Sequence, residues 1–327
     1  MNAFQYLRAV SVEDAVAKAA QADSRYLAGG TNLVDLMKYG VESSSALIDI
    51  TDLPLNRIES LPHGGLRIGA SVKNSDLADH PQVVKEFPML SQALLNGASP
   101  QLRNMATTGG NLLQRTRCSY FYDAAFPCNK RAPGTGCSAL KGWNRQHAVL
   151  GQSDSCIAVH PSDMAVAMRA LDAVVNVTGP KGNRQIPIAD FHRLPGDHPE
   201  IDTNLAPGEL ILSVDVFPSA SARHSTYLKV RDRQSYAFAL VSVAAGIDTR
   251  DGKVSEARIA LGGVAAKPWR RQEAEHALIG KPLSHNAYRS AAEILLEGAK
   301  GYEYNSFKIE LAKRSVVRAL ETLEGQG

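Results

Sequence analysis

A chain of 327 residues is too long for one small domain and fits two of about 150 residues each. Hydrophobic residues make up 44% and charged residues 21%, near the globular average, which excludes long disorder and collagen-like repeats. Thirty-six Lys and Arg against 33 Asp and Glu leave a net charge of only +3, and aromatics stand at 6%; neither a basic stripe nor a base-stacking surface for nucleic acid is encoded.

In chain order, Ser11 caps a first helix whose Val12, Ala15, Val16, Ala19 and Ala20 recur at helical spacing. Positions 25–28 predict a short strand broken by Gly29-Gly30, after which Thr31 caps a helix over 32–39 that stops at Gly40. With a buried strand over 46–50, residues 1–54 read as a β-α-β-like lobe ending near Pro54. Short strands over 57–60 and 66–70 then alternate with helical pieces around 75–78 and 89–96.

From 101 to 160 the patterning dissolves into Gly, Pro, Arg, Lys and aromatic residues, and all four cysteines lie here. So long an irregular stretch inside a compact domain calls for a functional or ligand-based reason. Order returns as a helix to Leu171 and a strand over 173–178. Past Phe217-Pro218, strands over 226–230, 239–247 and 257–261 read as one sheet, closed by amphipathic helices over 284–299 and 306–323, so a domain boundary falls near residue 220. The longest mostly apolar stretch, 236–247, is far short of the ~20 residues of a bilayer helix. The N-terminus lacks the pattern of a signal peptide. The expected location is the cytoplasm, or the periplasm if a signal-bearing partner carries the chain across.

Three constellations carry chemistry. In Leu27-Ala28-Gly29-Gly30-Thr31-Asn32-Leu33, a strand runs through paired glycines into a helix N-terminus, where free N–H groups and hydroxyl or amide donors suit an anion. The plain alternative is a tight turn capped by Thr31. Ala106-Thr-Thr-Gly-Gly-Asn-Leu112 repeats the theme, and two such loops suit the two phosphates of a dinucleotide; its alternative is a bend with positive φ at Gly109 or Gly110. Cys118, Cys128, Cys137 and Cys156, spaced C-x9-C-x8-C-x18-C, meet the ligand count of a four-cysteine zinc site or a [4Fe-4S] cluster. Without a C-x2-C pair the cluster fits better; two disulfides or four unrelated thiols are the other readings. Arg115, Arg117, Lys130 and Arg131 lie close enough in sequence to offset thiolate charge, and His147 and His160 flank Cys156 as alternative ligands or ordinary core histidines. No nucleophile or general-base signature appears, so the chain reads as a carrier of redox cofactors.

These motifs in order, with Ser162-Asp163-Met164 and Lys229, resemble the FAD-binding medium subunit of the xanthine dehydrogenase and molybdenum hydroxylase family over nearly the whole chain. The Gln114–Tyr122 and Pro127–Arg131 stretches resemble the flavin subunit of bacterial aldehyde oxidoreductases, which carries an extra [4Fe-4S] cluster in an insertion. The resemblance implies an α+β architecture: a two-lobed FAD-binding domain of the vanillyl-alcohol-oxidase/PCMH type over 1–218, with lobes 1–54 and 55–218 and the cysteine-rich insertion at about 114–160. A C-terminal α/β domain with a small antiparallel sheet and helices would follow over 219–327. Arg25, Tyr26, Leu27, Ala28, Gly29, Gly30, Thr31, Asn32 and Leu33 would hold the FAD pyrophosphate, and Thr107, Gly110 and Asn111 would form the opposite wall. Asp163 would accept from the ribose or adenine, and Ile211 would pack on a cofactor ring. Lys229 would reach toward the flavin, where a cation favours the reduced anionic form. Tyr236 would lie over the isoalloxazine and control access of an acceptor.

The implied partners are a large molybdopterin subunit, a small [2Fe-2S] subunit and an external electron acceptor, with no nucleic acid and no membrane. The rival expectation is a zinc-stabilised nucleotide-binding or scaffold protein without redox activity.

Overall fold

A computed structural model describes residues 1–20, 23–62 and 64–325. The first lobe is a parallel three-stranded sheet in the order β1-β3-β2, with β1 at Gln5–Arg8, β2 at Ser24–Leu27 and β3 at Ala46–Asp49. Its Val12–Ala19 helix starts as expected, the Ser11 side chain accepting from the Asp14 N–H. The second lobe is a five-stranded antiparallel sheet, β4-β5-β8-β6-β7, made of Ile58–Ser60, Leu66–Gly69, Val174–Gly179, Gly182–Pro187 and Leu210–Val216 in chain order. Helices Pro88–Asn96 and Asp163–Ala170 share its core.

The last sheet runs β11-β10-β9, from Ser225–Val230 (β9), Val241–Arg250 (β10) and Lys253–Gly262 (β11). Alternate residues of a strand face opposite sides, and β10 uses both. Val241, Val243, Ala245 and Ile247 enter the core under helices His285–Leu295 and Phe307–Glu324, whereas Ala244 enters the second lobe's core with Tyr227 and Ala260. The second face is built of small residues because the second lobe comes so close. A Cβ on Gly246 would fall 2.1 Å from the Ser221 carbonyl oxygen, and one on Gly262 would fall 2.6 Å from Val166 Cγ2. The architecture is the expected α+β arrangement. Among the described residues no helix is long and apolar enough to cross a membrane.

Two local expectations change. Thr31 does not cap the second helix, which spans Leu33–Lys38; Asn32 holds the cap position and makes no side-chain cap bond. Gly109 and Gly110 are not a bend at all. They lie inside a short helix, Thr108–Leu112, with ordinary φ, capped by Thr107 through the Gly110 N–H. The β7 hairpin strand was missed because its Gly-Asn-Arg-Gln run is polar and exposed throughout.

Candidate functional site: a glycine-lined cleft beside a cysteine cavity

The first glycine pair meets the start of the second glycine segment: Gly29 lies against Met105, 76 residues on, and Ala106. A Cβ on Gly29 would lie 2.0 Å from the Met105 carbonyl oxygen and 3.2 Å from Ala106 Cα, so only glycine allows the first lobe to close on the second here. Gly30 has φ +69, the left-handed conformation glycine takes readily. Ala28 and Thr107 line one cleft with Asn56, Ser71, Lys73 and Asp76. The Ser71 hydroxyl, which lines this cleft, is buried without a hydrogen-bond partner. Buried polar groups are nearly always satisfied, so it marks a place for a ligand's acceptor. The first glycine pair precedes a helix of six residues and the second lies inside one of five. Their dipoles are short, and the case for an anion rests on the unsatisfied hydroxyl and the close backbone instead.

A second cluster sits where β9 meets the helix Asp163–Ala170. Ser162 caps that helix, accepting from the Ala165 N–H at 2.9 Å, and donates to Asn111 Oδ1 at 2.6 Å, which ties the Thr108–Leu112 segment to it. Asp163 is buried; its Oδ2 accepts from Lys229 Nζ and its Oδ1 from the Tyr227 hydroxyl, both at 2.7 Å. Burial pushes the Asp163 carboxyl above its ordinary range, and Lys229 pulls against that. Lys229, only 2% exposed at its side chain, also donates to the Asn96 carbonyl at 3.0 Å, as does Arg231. Lys229 is therefore a buried ion-pair partner of Asp163, not a solvated surface lysine.

The other expected residues divide. Ile211 sits in β8 opposite Val177, buried in the second lobe's core. Tyr26 donates its hydroxyl to the Gly208 carbonyl at 2.8 Å, and Arg25 faces solvent. Tyr236 is 59% exposed at φ +50, a strained conformation for a bulky residue, with the Arg233 guanidinium donating to its carbonyl. Sequence reasoning missed Ser71, Tyr227 and Arg231. Ser71 carries no local signal, but Tyr227, Lys229 and Arg231 alternate on one face of a strand, and that period of two was there to be read.

All four cysteines are free thiols lining one small cavity, with His147 beside them. Cys128 and Cys137 pair as an isolated antiparallel bridge, and His147 Nε2 lies 3.1 Å from Cys118 Sγ. Burial, with a smaller push from the neighbouring cysteine sulfurs, raises the Cys118 thiol to about 12 and Cys156 to about 11. Such thiols ionise only against a nearby cation. Among the described residues no group of three or more His, Cys, Asp or Glu is gathered tightly enough to hold a single metal ion. His160 does not line the four-cysteine cavity; its ring packs at a tilt against His192, ring centroids 4.2 Å apart. Of the expected charge-offsetting cations, Lys130 lines the cavity and pulls the Cys156 thiol down while it also pairs with Asp202; Arg115 pairs with Asp202, Arg117 with Asp35, and Arg131 donates to the Tyr120 and Phe121 carbonyls.

Residues 2–219 match the family model described as the FAD binding domain in molybdopterin dehydrogenase, and residues 226–323 match the CO dehydrogenase flavoprotein C-terminal domain. The chain is 52% identical over 328 aligned positions, covering 100% of both chains, to the aldehyde oxidoreductase FAD-binding subunit PaoB of Escherichia coli. It is 27% identical to the glyceraldehyde dehydrogenase medium chain of Sulfolobus acidocaldarius, over 88% of this chain and 85% of that one. Among solved structures, a chain of the carbon monoxide dehydrogenase of Hydrogenophaga pseudoflava superposes with a TM-score of 0.77 at 26% identity, covering 99% of this chain and 98% of that one. With both halves matched and the meeting glycine segments in place, the chain belongs to the family of FAD-binding subunits of the molybdenum hydroxylase oxidoreductases.

Proposed function

We propose that this chain is the FAD- and [4Fe-4S]-containing electron-transfer subunit of a molybdenum-dependent aldehyde oxidoreductase. Electrons would come from [2Fe-2S] clusters on a small partner subunit, substrate being oxidised at molybdopterin on a large one, and would leave to an external acceptor. The observation that carries the flavin site is the contact of Gly29 with Met105–Ala106, beside the unsatisfied Ser71 hydroxyl. These residues fit a diphosphate: close backbone and a spare donor are what its oxygens need. The segment 25–33 and Thr107, Gly110 and Asn111 would hold FAD, with Asp163, Ile211 and Lys229 as the further cofactor residues and Tyr236 at the flavin's access route. FAD, when bound, accepts and passes on reducing equivalents. The chain's own part is to orient it, to exclude water, and to keep the Lys229 charge fixed in its ion pair.

The cysteine cavity fits an iron–sulfur core. A single zinc ion needs four ligands each about 2.1–2.3 Å from one point, whereas a cubane meets each thiolate at a separate iron. Four sulfurs around one cavity supply one thiolate for each iron, and the spacing without a C-x2-C pair favours the cluster over zinc. A domain boundary at 218/219 and action wherever the partner subunits reside complete the proposal. The test is chemical analysis of the complex isolated with its partners: FAD released on denaturation, together with about four irons and four sulfides per copy of this chain beyond those of the small subunit. A colourless, zinc-bearing chain would overturn the reading.

A further inference from the structure

The two sites are joined by a half-buried charge cluster. We propose that Arg115 is a positioning residue coupling them, so that an occupied cysteine cavity tightens the hold on FAD. This rests on the flavin and iron–sulfur readings above. Arg115 lies three residues before Cys118, and its backbone N–H donates to Asn32 Oδ1 at 2.8 Å, directly after the first glycine pair. That bond fixes the orientation of the Asn32 amide, whose side chain also meets the Tyr122 hydroxyl. The guanidinium reaches three ways. Its Nε donates to Asp202 Oδ2 at 2.7 Å, its Nη1 to Glu42 just past the Leu33–Lys38 helix, and its Nη2 to the carbonyl of Lys130, two residues after Cys128, at 3.4 Å. Lys130, 5% exposed, closes the cluster on Asp202 Oδ1 at 2.5 Å.

Two cations and two carboxylates thus tie the first lobe, the insertion and the 192–205 segment together. Removing one partner of a buried pair strands the other, so the cluster is either assembled or broken rather than gradually deformed. An independent contact runs in parallel. Leu36, on the helix after the glycine pair, is buried in one small cluster with Phe121 and Cys128, against which Cys118 packs. Whatever orders Cys118 and Cys128 therefore presses on the helix that carries Asn32, and thermodynamic linkage makes the effect reciprocal.

The experiment measures the FAD dissociation constant of the deflavinated complex, with its iron intact and after chelator treatment, in wild type and Arg115→Met. Iron and sulfide are assayed first. Removing iron should weaken FAD binding about tenfold in wild type, within the usual range of such couplings. In Arg115→Met the ratio of the two constants should fall well below the wild-type ratio, the Leu36 contact carrying what remains. A purely structural arginine would weaken FAD binding by the same factor in both states and leave the ratio intact, which overturns the proposal, as does a wild-type ratio of one. If Arg115→Met does not assemble, Glu42→Gln, which leaves the other Arg115 contacts in place, is judged by the same ratio and should reduce it. Wild type without iron in this chain defeats the iron–sulfur reading and the coupling with it; iron present with a ratio of one defeats the coupling alone.

Discussion

The glycine cleft and the cysteine cavity lie side by side yet are held by different means. The cleft is stitched by backbone. The Thr108 N–H donates to the Val72 carbonyl at 2.9 Å, Gly109 to Ala70 at 2.8 Å and Asn74 to Ala106 at 2.9 Å, so the second glycine segment continues the edge of β5. The insertion has little regular structure beyond one helical turn at Ser119–Tyr122 and a 3-10 turn at Ser138–Leu140. Side chains reaching carbonyls hold it: Asn129 to Ser155, Asn305 to His147 and Ala148, and the buried Lys308 ammonium to Gln146, His147 and Gly263. A backbone site is damaged by adding atoms and a side-chain site by removing them, and this contrast orders the tests.

The largest effect is expected at the cavity. Cys128→Ser should lose the cluster iron and sulfide, and with them a metal contribution to folding on the order of 10 kcal/mol for structural metals. Amide exchange across 114–160 should rise by orders of magnitude; retention of wild-type iron would show that the cysteines do not share one cluster. Next is Lys229→Met, which leaves Asp163 buried and unpaired. Chemical denaturation should register a loss of about 3–5 kcal/mol, much of it recovered in Lys229→Met/Asp163→Asn. A double variant no better than the single one would mean that the pair is not coupled.

Gly29→Ala tests the cleft by addition. Its Cβ would meet the Met105 carbonyl oxygen at 2.0 Å, so the lobes must part. An overpacking cost of ~2 kcal/mol corresponds to FAD binding about 30-fold weaker, read by fluorescence titration of the deflavinated complex. Ser71→Ala tests it by removal: folding stability without FAD should hold or rise slightly, because an unsatisfied hydroxyl is gone, while FAD binding weakens by ~1 kcal/mol. A fall in stability at unchanged FAD affinity would remove Ser71 from the site.

The smallest effect concerns acid. Burial pushes Asp202 up, but Lys130 and Arg115 more than offset it and hold the carboxyl below its ordinary value. A depressed folded-state pKa contributes stability above the unfolded value of about 3.9, and that stability is lost as pH falls further through the folded value. Asp202→Asn should therefore flatten the pH dependence of unfolding below about pH 4 and leave its slope near pH 7 unchanged.

Much of the fold was legible because its signals are local. Ser11, Ser162 and Ser284 cap helices by side-chain bonds to the N–H three residues on. The alternation in β10 and the spacing of Ala312, Val316, Ala319, Leu320 and Leu323 name the buried faces. Thr31 misled because a hydroxyl beside a helix start is a cap only if the chain turns there, and it turns one residue later. Gly109-Gly110 misled because glycine permits positive φ without demanding it. The cysteines could be counted, but their convergence could not, since it depends on Leu36 and Phe121 from distant segments packing behind Cys128.

Residue identity alone settled which groups are available: two glycine pairs where a backbone can approach closely, four thiols confined to one irregular stretch, and a strand whose small and large residues alternate. Only the folded chain decided which of these meet. Gly29 lies against Met105, Lys229 is captured by Asp163, and Arg115 spans Glu42 and Asp202, because such contacts join residues 66 to 87 positions apart and their geometry is set by how three sheets stack. Periodicity and capping report the first turn or strand around a residue; the partner of a buried charge is chosen by packing, and packing is a property of the whole chain.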